Sequence, residues 1–326
     1  MSDVPSIIST LVTSQPLWTE EDETVIQSPY RHLAATRGKN FRSKLIEVFN
    51  VIYKLPQEQI DLVSNLVGVL HNSSLLIDDI EDSSEVRRGK TTAHLIYGIP
   101  MTINTANYMY FKAMEMIQLI SNGDKFVLQD LMVIFNEEMI NLHRGQGLDI
   151  YWRDSLPKII PDDTLYFNMV MNKTGGLFRL TVKIMERLTK VKSEISLIPL
   201  SNLLGIIYQV RDDYQNLLDE KMIESKGLAE DISEGKLSFP IIHGLRHGKQ
   251  NNDLFLQNAL KLRTNDLEIK RDVINYLQNE SKSMDYTKKV LCELTTLAKN
   301  EKYIPYKSYP KEATQFAYIV DHLSVM

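Results

Sequence analysis

Two clusters of acidic side chains are the residues of this sequence best suited to chemistry. The first is Asp78-Asp79-Ile80-Glu81-Asp82, directly after the apolar stretch 73–77. On a helix Asp78 and Asp82 lie on one face, where their like charges repel each other. The dipole at the C-terminal end of a helix adds to this repulsion. A bound cation relieves both effects. A site made only of carboxylates suits magnesium. The alternative is a solvated surface, which is the usual place of acidic runs at helix ends.

The second cluster forms a polar stripe within an otherwise apolar segment. Gln209, Asp212, Asp213 and Asn216 follow one another at positions i, i+3, i+4 and i+7. Such a stripe must face a solvated cavity or a partner, because unpaired polar groups are costly to bury. Together the two clusters predict two oxygen-rich walls that face each other across several magnesium ions.

Basic residues near the two clusters suggest what the metal ions would bind. Arginine pairs with phosphate oxygens in a bidentate manner, and lysine acts as a mobile point charge. Taken singly, each of these residues is typical of a solvated surface. As a set beside two acidic clusters that could bind magnesium, they predict a site for a diphosphate. They are Lys39, Arg42, Arg87, Arg88, Lys173, Lys226 and Lys236.

The segments that must position these groups read as helices. Apolar residues recur at helical spacing over 62–80, 104–120, 126–150, 165–188 and 197–218. The run Lys173-Thr174-Gly175-Gly176 interrupts the fourth of these segments. No stretch shows the sustained alternation of a β-strand. The sequence therefore predicts an all-α fold, with residues 1–326 forming a single domain.

Composition excludes several classes of protein. The net charge of −5 argues against a nucleic-acid-binding surface. Cys292 is the only cysteine, so no intramolecular disulfide can form, which fits a cytoplasmic protein. No apolar run approaches the roughly 20 residues of a membrane span. We therefore expect no integral membrane segment, while transient peripheral contact with a membrane stays open.

Seven stretches of the chain resemble the trans-isoprenyl diphosphate synthases, and most closely the fungal and animal geranylgeranyl diphosphate synthase subgroup. They include the first cluster within Leu70-His71-Asn72-Ser73-Ser74-Leu75-Leu76-Ile77-Asp78-Asp79-Ile80-Glu81-Asp82. The resemblance implies an isoprenoid synthase helical bundle around a deep central cavity, assembled as a homodimer or higher homo-oligomer. The matching stretches are 38–42, 70–82, 87–92, 142–149, 172–178, 209–216 and 235–240.

The same resemblance implies a role for each site residue. Several Mg²⁺ ions would be bound by Asp78, Asp79, Asp82, Asp212 and Asp213. Asn216 stands where many family members carry a third aspartate, and its neutral oxygen is a poor substitute. Isopentenyl diphosphate would bind Lys39, Arg42, His71 and Arg88. The allylic diphosphate would bind Arg87, Lys173, Lys226 and Lys236. Lys173, Thr174, Gln209 and Lys226 would act at the reacting carbons and the leaving group.

The implied reaction is a magnesium-dependent prenyl transfer. Farnesyl diphosphate, or a shorter allylic diphosphate, would condense with isopentenyl diphosphate to give geranylgeranyl diphosphate and diphosphate. Small residues one turn before the first cluster would leave the product cavity open, and bulky ones deeper would close it. These chain-length residues are Ser73, Ser74, Tyr110, Phe111 and His143.

Two other functions stay open at this level. A class I terpene cyclase shares the fold, and Asp212, Asn216 and Glu220 have the spacing of a cyclase metal motif. That motif, however, has serine or threonine at its middle position, and a cyclase needs no isopentenyl diphosphate pocket. A non-catalytic subunit of a prenyl synthase typically loses one aspartate motif, whereas this chain keeps both.

Overall fold

Helices make up nearly all the regular structure in the computed structural model, which describes residues 3–36, 41–191, 196–218 and 229–324. The described residues contain seventeen α-helices, one π-helical turn and a two-stranded hairpin, which confirms the all-α prediction. The helices are α1 Val4–Leu11, α2 Glu20–Ile26, α3 Ser28–Ala34, α4 Phe41–Tyr53, α5 Gln57–Glu81, α6 Ala93–Tyr97, α7 Ile99–Ile120, α8 Lys125–Asp154, α9 Asp163–Lys173, α10 Gly175–Leu188, α11 Ile198–Leu218, α12 Glu230–Glu234, α13 Phe239–Asn251, α14 Phe255–Lys261, α15 Leu267–Asn275, α16 Ser283–Ala298 and α17 Pro310–Ser324; the π-helical turn is Tyr276–Glu280.

The long apolar segments of the sequence are α5, α7, α8 and α11, with ends within a few residues of those expected. The fourth segment is two helices, α9 and α10, which are separated at Thr174 as the Gly175-Gly176 pair indicated. α5 packs against α7, α8 packs against α9 and α10, and α10 packs against α11. Their shared core includes the fully buried Phe49, Leu66, Ile117 and Leu131. Burying such side chains contributes about 1.5–3 kcal/mol each.

A short β-hairpin follows the first acidic cluster. Its strands, β1 Val86–Arg87 and β2 Lys90–Thr91, pair antiparallel, with Arg87 opposite Lys90. Arg88 and Gly89 form the two-residue turn with φ of 54° and 74°. Positive φ at both turn residues matches the right-handed twist of the strands. The sequence analysis missed this hairpin because two-residue strands are too short to show alternation.

Two glycines let α8 and α11 pack closely on the break between α9 and α10. A Cβ atom on Gly145 of α8 would lie 2.2 Å from the backbone nitrogen of Lys173. A Cβ on Gly205 of α11 would lie 2.9 Å from the Cα of Gly175. Both positions therefore require glycine for lack of space rather than for an unusual φ.

One helix among the described residues, α5, is long and apolar enough by length and composition to cross a membrane. It is also a central helix of the core, where Val63, Leu66, Leu70 and Leu76 are buried. Packing therefore accounts for its apolar composition.

Candidate active site

The end of α5 and the hairpin form the first acidic wall. Arg87 lies between the first two aspartates: its Nη2 is 3.1 Å from Asp78 Oδ2, and its Nε donates to Asp79 Oδ1 at 2.6 Å. Asp79 is buried, whereas Asp78 is partly exposed. Burial acts against the charge of Arg87, but Asp79 and then Asp78 outweigh it and raise the pKa of Arg87. Backbone hydrogen bonds from Ser83 to the Ile80 oxygen and from Ser84 to the Asp79 oxygen turn the chain back after α5, ahead of Arg87.

Residues of α8 complete this wall. Arg153 Nη1 donates to Asp82 Oδ1 at 2.7 Å, and Gln146 Nε2 donates to Asp78 Oδ1 at 3.2 Å and to Glu81 Oε2 at 2.6 Å. Burial, followed by the charge of Asp78, raises the pKa of Asp82 to about 7. Sequence reasoning did not single out Gln146 or Arg153.

Asp213 is the centre of the second wall. It is 1% exposed, and its Oδ2 accepts from the Tyr166 hydroxyl at 2.5 Å and from the Phe239 backbone nitrogen at 2.8 Å. Its Oδ1 accepts from Gln209 Nε2 at 2.8 Å and lies 3.6 Å from Lys236 Nζ. The carboxylate is thus held by three hydrogen bonds, from α9, α11 and the first residue of α13, and by the nearby charge of Lys236.

The other two members of the second cluster differ from Asp213 and from each other. Asp212 is half-buried. Asn216 is buried, and its Oδ1 accepts from the backbone nitrogen of Asp231 at 3.2 Å. The neutral oxygen of Asn216 therefore holds the start of α12 in this structure. This role fits the expectation that Asn216 is a poor metal ligand.

Two half-buried lysines lie between the walls. Lys173 Nζ is 2.5 Å from Asp149 Oδ2 and 3.9 Å from Asp78 Oδ1, and Lys236 Nζ lies 3.3 Å from Asp231 Oδ1. Burial opposes the charge of Lys173, but Asp149 and then Asp78 raise its pKa. Both ammonium groups are therefore charged at neutral pH. They line one pocket, whose walls are Asp149, Tyr166, Met169, Val170, Lys173, Gln209, Asp213, Lys236 and Leu237.

Thr174 connects the helix break to the second wall. Its Oγ1 donates to Gln209 Oε1 at 2.6 Å, and Gln209 in turn donates to Asp213. The break between α9 and α10 therefore points two adjacent side chains, Lys173 and Thr174, toward the same acidic cluster.

A separate pocket of cations lies further back along α5. Arg42 of α4 donates from Nη2 to Nε2 of His71, and Arg88 Nη1 donates to the backbone oxygen of Thr36 at 3.1 Å. Burial, and then the charges of Arg42 and Arg88, lowers the pKa of His71 well below its usual value. Burial also lowers the pKa of Arg42 to about 10. At neutral pH the imidazole is neutral, and the two arginines keep their charges.

Comparison with known proteins agrees with this geometry. The family model for polyprenyl synthetase matches residues 23–277. A geranylgeranyl pyrophosphate synthase of Eremothecium gossypii is 52% identical over 314 residues, which are 94% of this chain and 96% of the relative.

The chain belongs to the polyprenyl synthetase family.

Two further relatives carry the same name. The Fusarium fujikuroi protein is 44% identical over 88% of this chain and 66% of its own length. The Aspergillus versicolor protein is 46% identical over 85% of this chain and 71% of its own length. This polyprenyl synthetase family member is therefore most similar to proteins named for one product, and the resemblance drawn from the motifs is confirmed.

The five chain-length residues do not share one environment. Ser73 is fully buried and donates to the Val69 oxygen, whereas Ser74 is half-buried and donates to the His71 oxygen at 2.8 Å. Tyr110 of α7 meets His143 of α8 edge to face, with ring centroids 5.7 Å apart. Burial, followed by the charges of Glu81 and Asp78, raises the pKa of Tyr110, so its phenol lies near the first wall.

Phe111 lies elsewhere. It is 66% exposed and lines a surface groove with Trp18, Ile26 and Tyr108. Within a single chain Phe111 therefore does not pack with Tyr110 and His143. Successive residues of a helix lie about 100° apart, which places Phe111 on another face of α7 from Tyr110.

Three residues singled out from the sequence lie outside the described residues. They are Lys39, expected to bind isopentenyl diphosphate, Lys226, expected to bind the allylic diphosphate, and Glu220 of the cyclase-like spacing. Asp149, Gln146 and Arg153 are the opposite case, because sequence reasoning assigned them no role. They recur at i, i+3 and i+7 on α8, the same type of polar stripe that revealed the second cluster.

The donor set of the two walls fits magnesium. The described residues hold no group of three or more His, Cys, Asp or Glu side chains arranged to enclose a metal ion. Magnesium is usually held by one or two carboxylates together with water and substrate phosphates, not by a cage of protein ligands. Carboxylates on two sides of a pocket that also holds two lysines match that pattern.

Proposed function

We propose that this protein condenses farnesyl diphosphate with isopentenyl diphosphate to form geranylgeranyl diphosphate and diphosphate. The observation that carries the proposal is the presence of two differently built anion pockets along α5. Asp78 belongs to the carboxylate-rich pocket and His71 to the cationic one, and seven residues of helix separate them by about 10 Å. Two such pockets suit two diphosphate substrates, one bound with metal and one without. The names of the most similar relatives support the same product.

The cations of the first pocket would bind and orient the allylic diphosphate. Arg87, Lys173 and Lys236 carry charge beside the carboxylates and can pair with its oxygens. Magnesium bound by Asp78, Asp79, Asp82, Asp212 and Asp213 would supply further positive charge to the leaving diphosphate. We expect Lys226 to contribute as well. Charge fixed at this position favours cleavage of the bond between C1 and oxygen.

The polar groups at the helix break would stabilise the allylic carbocation that remains after the diphosphate leaves. Cleavage of the C1–O bond leaves an allylic cation, and the side-chain dipoles of Thr174 and Gln209 can stabilise it. The double bond of isopentenyl diphosphate, held by Arg42, Arg88 and Lys39 beside His71, then forms the new carbon–carbon bond to C1. One proton leaves the product and is taken up by the released diphosphate. No side-chain base is required.

We propose that product length is set by Ser74, Tyr110 and His143. Ser74 is small and half-buried, so it leaves the space beside α5 open. Tyr110 of α7 and His143 of α8 meet edge to face, and His143 is exposed in the single chain. A chain of more than fifteen carbons can pass Ser74, and the two rings would end its growth.

The proposed function is tested by assaying the purified protein with farnesyl diphosphate, isopentenyl diphosphate and magnesium. We expect a twenty-carbon diphosphate, identified by chromatography of the dephosphorylated product. Asp78→Ala, which removes a carboxylate of the first wall, should nearly abolish turnover. A hydrocarbon formed without isopentenyl diphosphate would instead show a terpene cyclase. A folded wild-type chain that forms no product alone but activates another synthase would show a non-catalytic subunit.

We also propose a homodimer. Phe126, Val133 and Ile140 recur every seven residues along α8 and are 79%, 62% and 42% exposed. Phe111 and Ile103 of α7 are exposed too. A row of large apolar side chains on a long helix is a surface that a second copy would cover.

A reducing, cytoplasmic location is proposed as well, since Cys292 is exposed and no second cysteine exists to pair with it.

A further inference from the structure

The break between α9 and α10 aims Lys173 and Thr174 at the acidic cluster, and a buried ion pair lies directly behind it. We propose that Arg179 of α10 and Glu138 of α8 are positioning residues for the reaction, because they fix the orientation of this break. Neither side chain belongs to the pockets described above. The inference rests on the proposed function insofar as Lys173 and Thr174 act on the allylic substrate.

Arg179 is bonded to the backbone of the break itself. Met171 lies in the last turn of α9, where helix carbonyls lack intrahelical donors. The Nη1 atom of Arg179 donates to the Met171 oxygen at 2.5 Å and to Asn202 Oδ1 of α11 at 3.0 Å. Lys173 is only two residues beyond Met171. A shift of this carbonyl therefore moves the Lys173 backbone with it.

Glu138 fixes the guanidinium that makes these bonds. Arg179 Nε donates to Glu138 Oε1 and Oε2 at 3.2 and 3.1 Å, and Nη2 donates to Oε2 at 2.8 Å. Glu138 is 1% exposed, and Arg179 is 8% exposed. A planar guanidinium clamped along one edge points its remaining donor in one direction. The buried pair thus links α8 to the end of α9, because Glu138 of α8 holds the guanidinium that bonds to the Met171 oxygen.

The surrounding backbone leaves the break no room to adjust. Gly145 of α8 abuts the Lys173 nitrogen, and Gly205 of α11 abuts Gly175. A Cβ on Gly175 would lie 3.0 Å from Arg179 Nη1. Two helices, α8 and α11, and the Arg179 guanidinium therefore enclose the break, so a change at Arg179 must be absorbed at Lys173 and Thr174.

Lys183 provides a matched control within the same cluster. Its Nζ donates to Glu138 Oε1 at 2.7 Å and to Glu137 Oε2 at 2.9 Å. Lys183 thus shares the ion pair with Glu138 but is not bonded to Met171. If the cluster only stabilised the fold, variants of Lys183 and Arg179 that lose the same stability would lose similar amounts of kcat.

The test compares Arg179→Lys with Lys183→Met. Arg179→Lys keeps a positive charge beside Glu138 but removes the fork that reaches Met171. We expect kcat to fall at least about tenfold, since an ångström-scale misplacement in an active site is worth up to about a hundredfold. The KM for isopentenyl diphosphate should stay within about twofold, because Arg42 and Arg88 lie on other elements. Lys183→Met should leave both constants within about twofold even if its melting temperature falls equally.

Binding of a non-ionising thiolo analogue of farnesyl diphosphate, followed by calorimetry, gives a readout that does not depend on turnover. Arg179→Lys should bind the analogue at least about threefold more weakly, and Lys183→Met should bind it as the wild type does. Normal kcat and normal analogue binding in a folded Arg179→Lys protein would overturn the proposal. So would equal catalytic losses in the two variants at equal melting temperatures.

Asn202→Ala keeps the test decisive if Arg179→Lys does not fold. This variant removes one acceptor of Arg179 Nη1 without altering buried charge. It should lower kcat while the KM for isopentenyl diphosphate stays constant, and unchanged kcat would overturn the proposal. A wild-type protein without synthase activity would refute the proposed function alone, because the analogue-binding comparison would still decide the role of Arg179.

Discussion

Lys173 stays charged inside the protein because Asp149 and Asp78 face its ammonium group. Asp149→Asn keeps the shape of the partner but removes the nearer negative charge. The pKa of Lys173 should then fall, since burial is no longer fully offset. We expect the variant to lose activity at alkaline pH, where the wild type keeps it, in a kcat profile measured from pH 7 to 10. Asp149→Glu, which retains the charge, is the control. Superimposable profiles for the wild type and Asp149→Asn would refute this role.

Asp82 gives a pH dependence of stability with a defined sign. Its pKa is raised to about 7 by burial and by Asp78, so the folded protein holds a proton that the unfolded chain releases near its ordinary value of 3.8. Its contribution to stability is therefore present at low pH and is lost as the pH rises through about 7. With a chelator present, the melting temperature should fall between pH 5 and 8.

Asp82→Asn separates this effect from other groups. The amide mimics the protonated carboxyl, so the variant should show a smaller fall over the same range. Some dependence should persist, because burial and then Asp82 also raise the pKa of Glu234, to about 8. An equal or steeper fall in the variant would contradict the assignment to Asp82.

Spacing alone was enough to find part of the site. Asp78 and Asp82 were found because like charges at this spacing destabilise a helix unless a cation offsets them. Asp213 was found because it interrupts an apolar helix. Asp149 and Arg153 were missed because their partners, Lys173 and Asp82, lie on other helices. Their importance depends on packing between α8, α9 and α5, which periodicity within one helix does not report.

At the level of elements, the break after Lys173 could be predicted and the hairpin could not. Two consecutive glycines mark an interruption whatever the tertiary context. A glycine at position 89 is compatible with a turn. The pairing of Arg87 with Lys90, however, depends on a register that only the folded chain shows. The close helix crossing at Gly145 was likewise invisible, because a glycine in a helix does not reveal what approaches it.

Gly145→Ala tests the close crossing of α8 and α9. The added methyl group would overlap the Lys173 backbone nitrogen, so α8 and α9 must separate. Forcing extra volume into a packed interior costs about 1–3 kcal/mol. We expect a lower melting temperature and a lower kcat. Gly68→Ala in α5, where a Cβ meets nothing within 4 Å, is the control and should be neutral or stabilising by up to about 1 kcal/mol. Equal melting temperatures for the two variants would show that the crossing can relax.

Ser74→Phe tests the path of the growing product along α5. A phenyl ring at this half-buried position would fill the space one turn before Asp78, so we expect fifteen-carbon products to replace twenty-carbon ones. Tyr110→Ala should have the opposite effect and give longer chains. Phe111→Ala serves as a comparison, since its side chain is exposed in the single chain and should leave product length unchanged. If Ser74→Phe still made only the twenty-carbon product, the growing prenyl chain would not pass this position.

The whole molecule adds a surface that no single motif predicts. The apolar row on α8 is evident only once folding has buried the opposite face of the helix, including Leu131, Phe135 and Leu142. The resemblance implied a homodimer, but it did not indicate which face would form it. Motif spacing indicated the family and left the contact surface undetermined.

Val133→Glu combined with Ile140→Glu should dissociate the proposed dimer. Two like charges in a covered apolar row cannot be solvated there, so sedimentation should show a monomer. Lys289→Glu, an exposed charged position on α16, is the control and should keep the mass of the wild type. A wild-type protein that sediments as a monomer would refute the dimer itself.

The single exposed thiol of Cys292 makes the assembly measurable without any engineering of the chain. Cys292 lies on α16, away from the row on α8, so a nitroxide label attached there leaves that row unaltered. A monomer then carries one unpaired electron and gives no dipolar modulation. A symmetric dimer carries two, and their coupling yields one interspin distance. Pulsed electron resonance on the native sequence can therefore follow association, and its response to each substrate, through a single reporter.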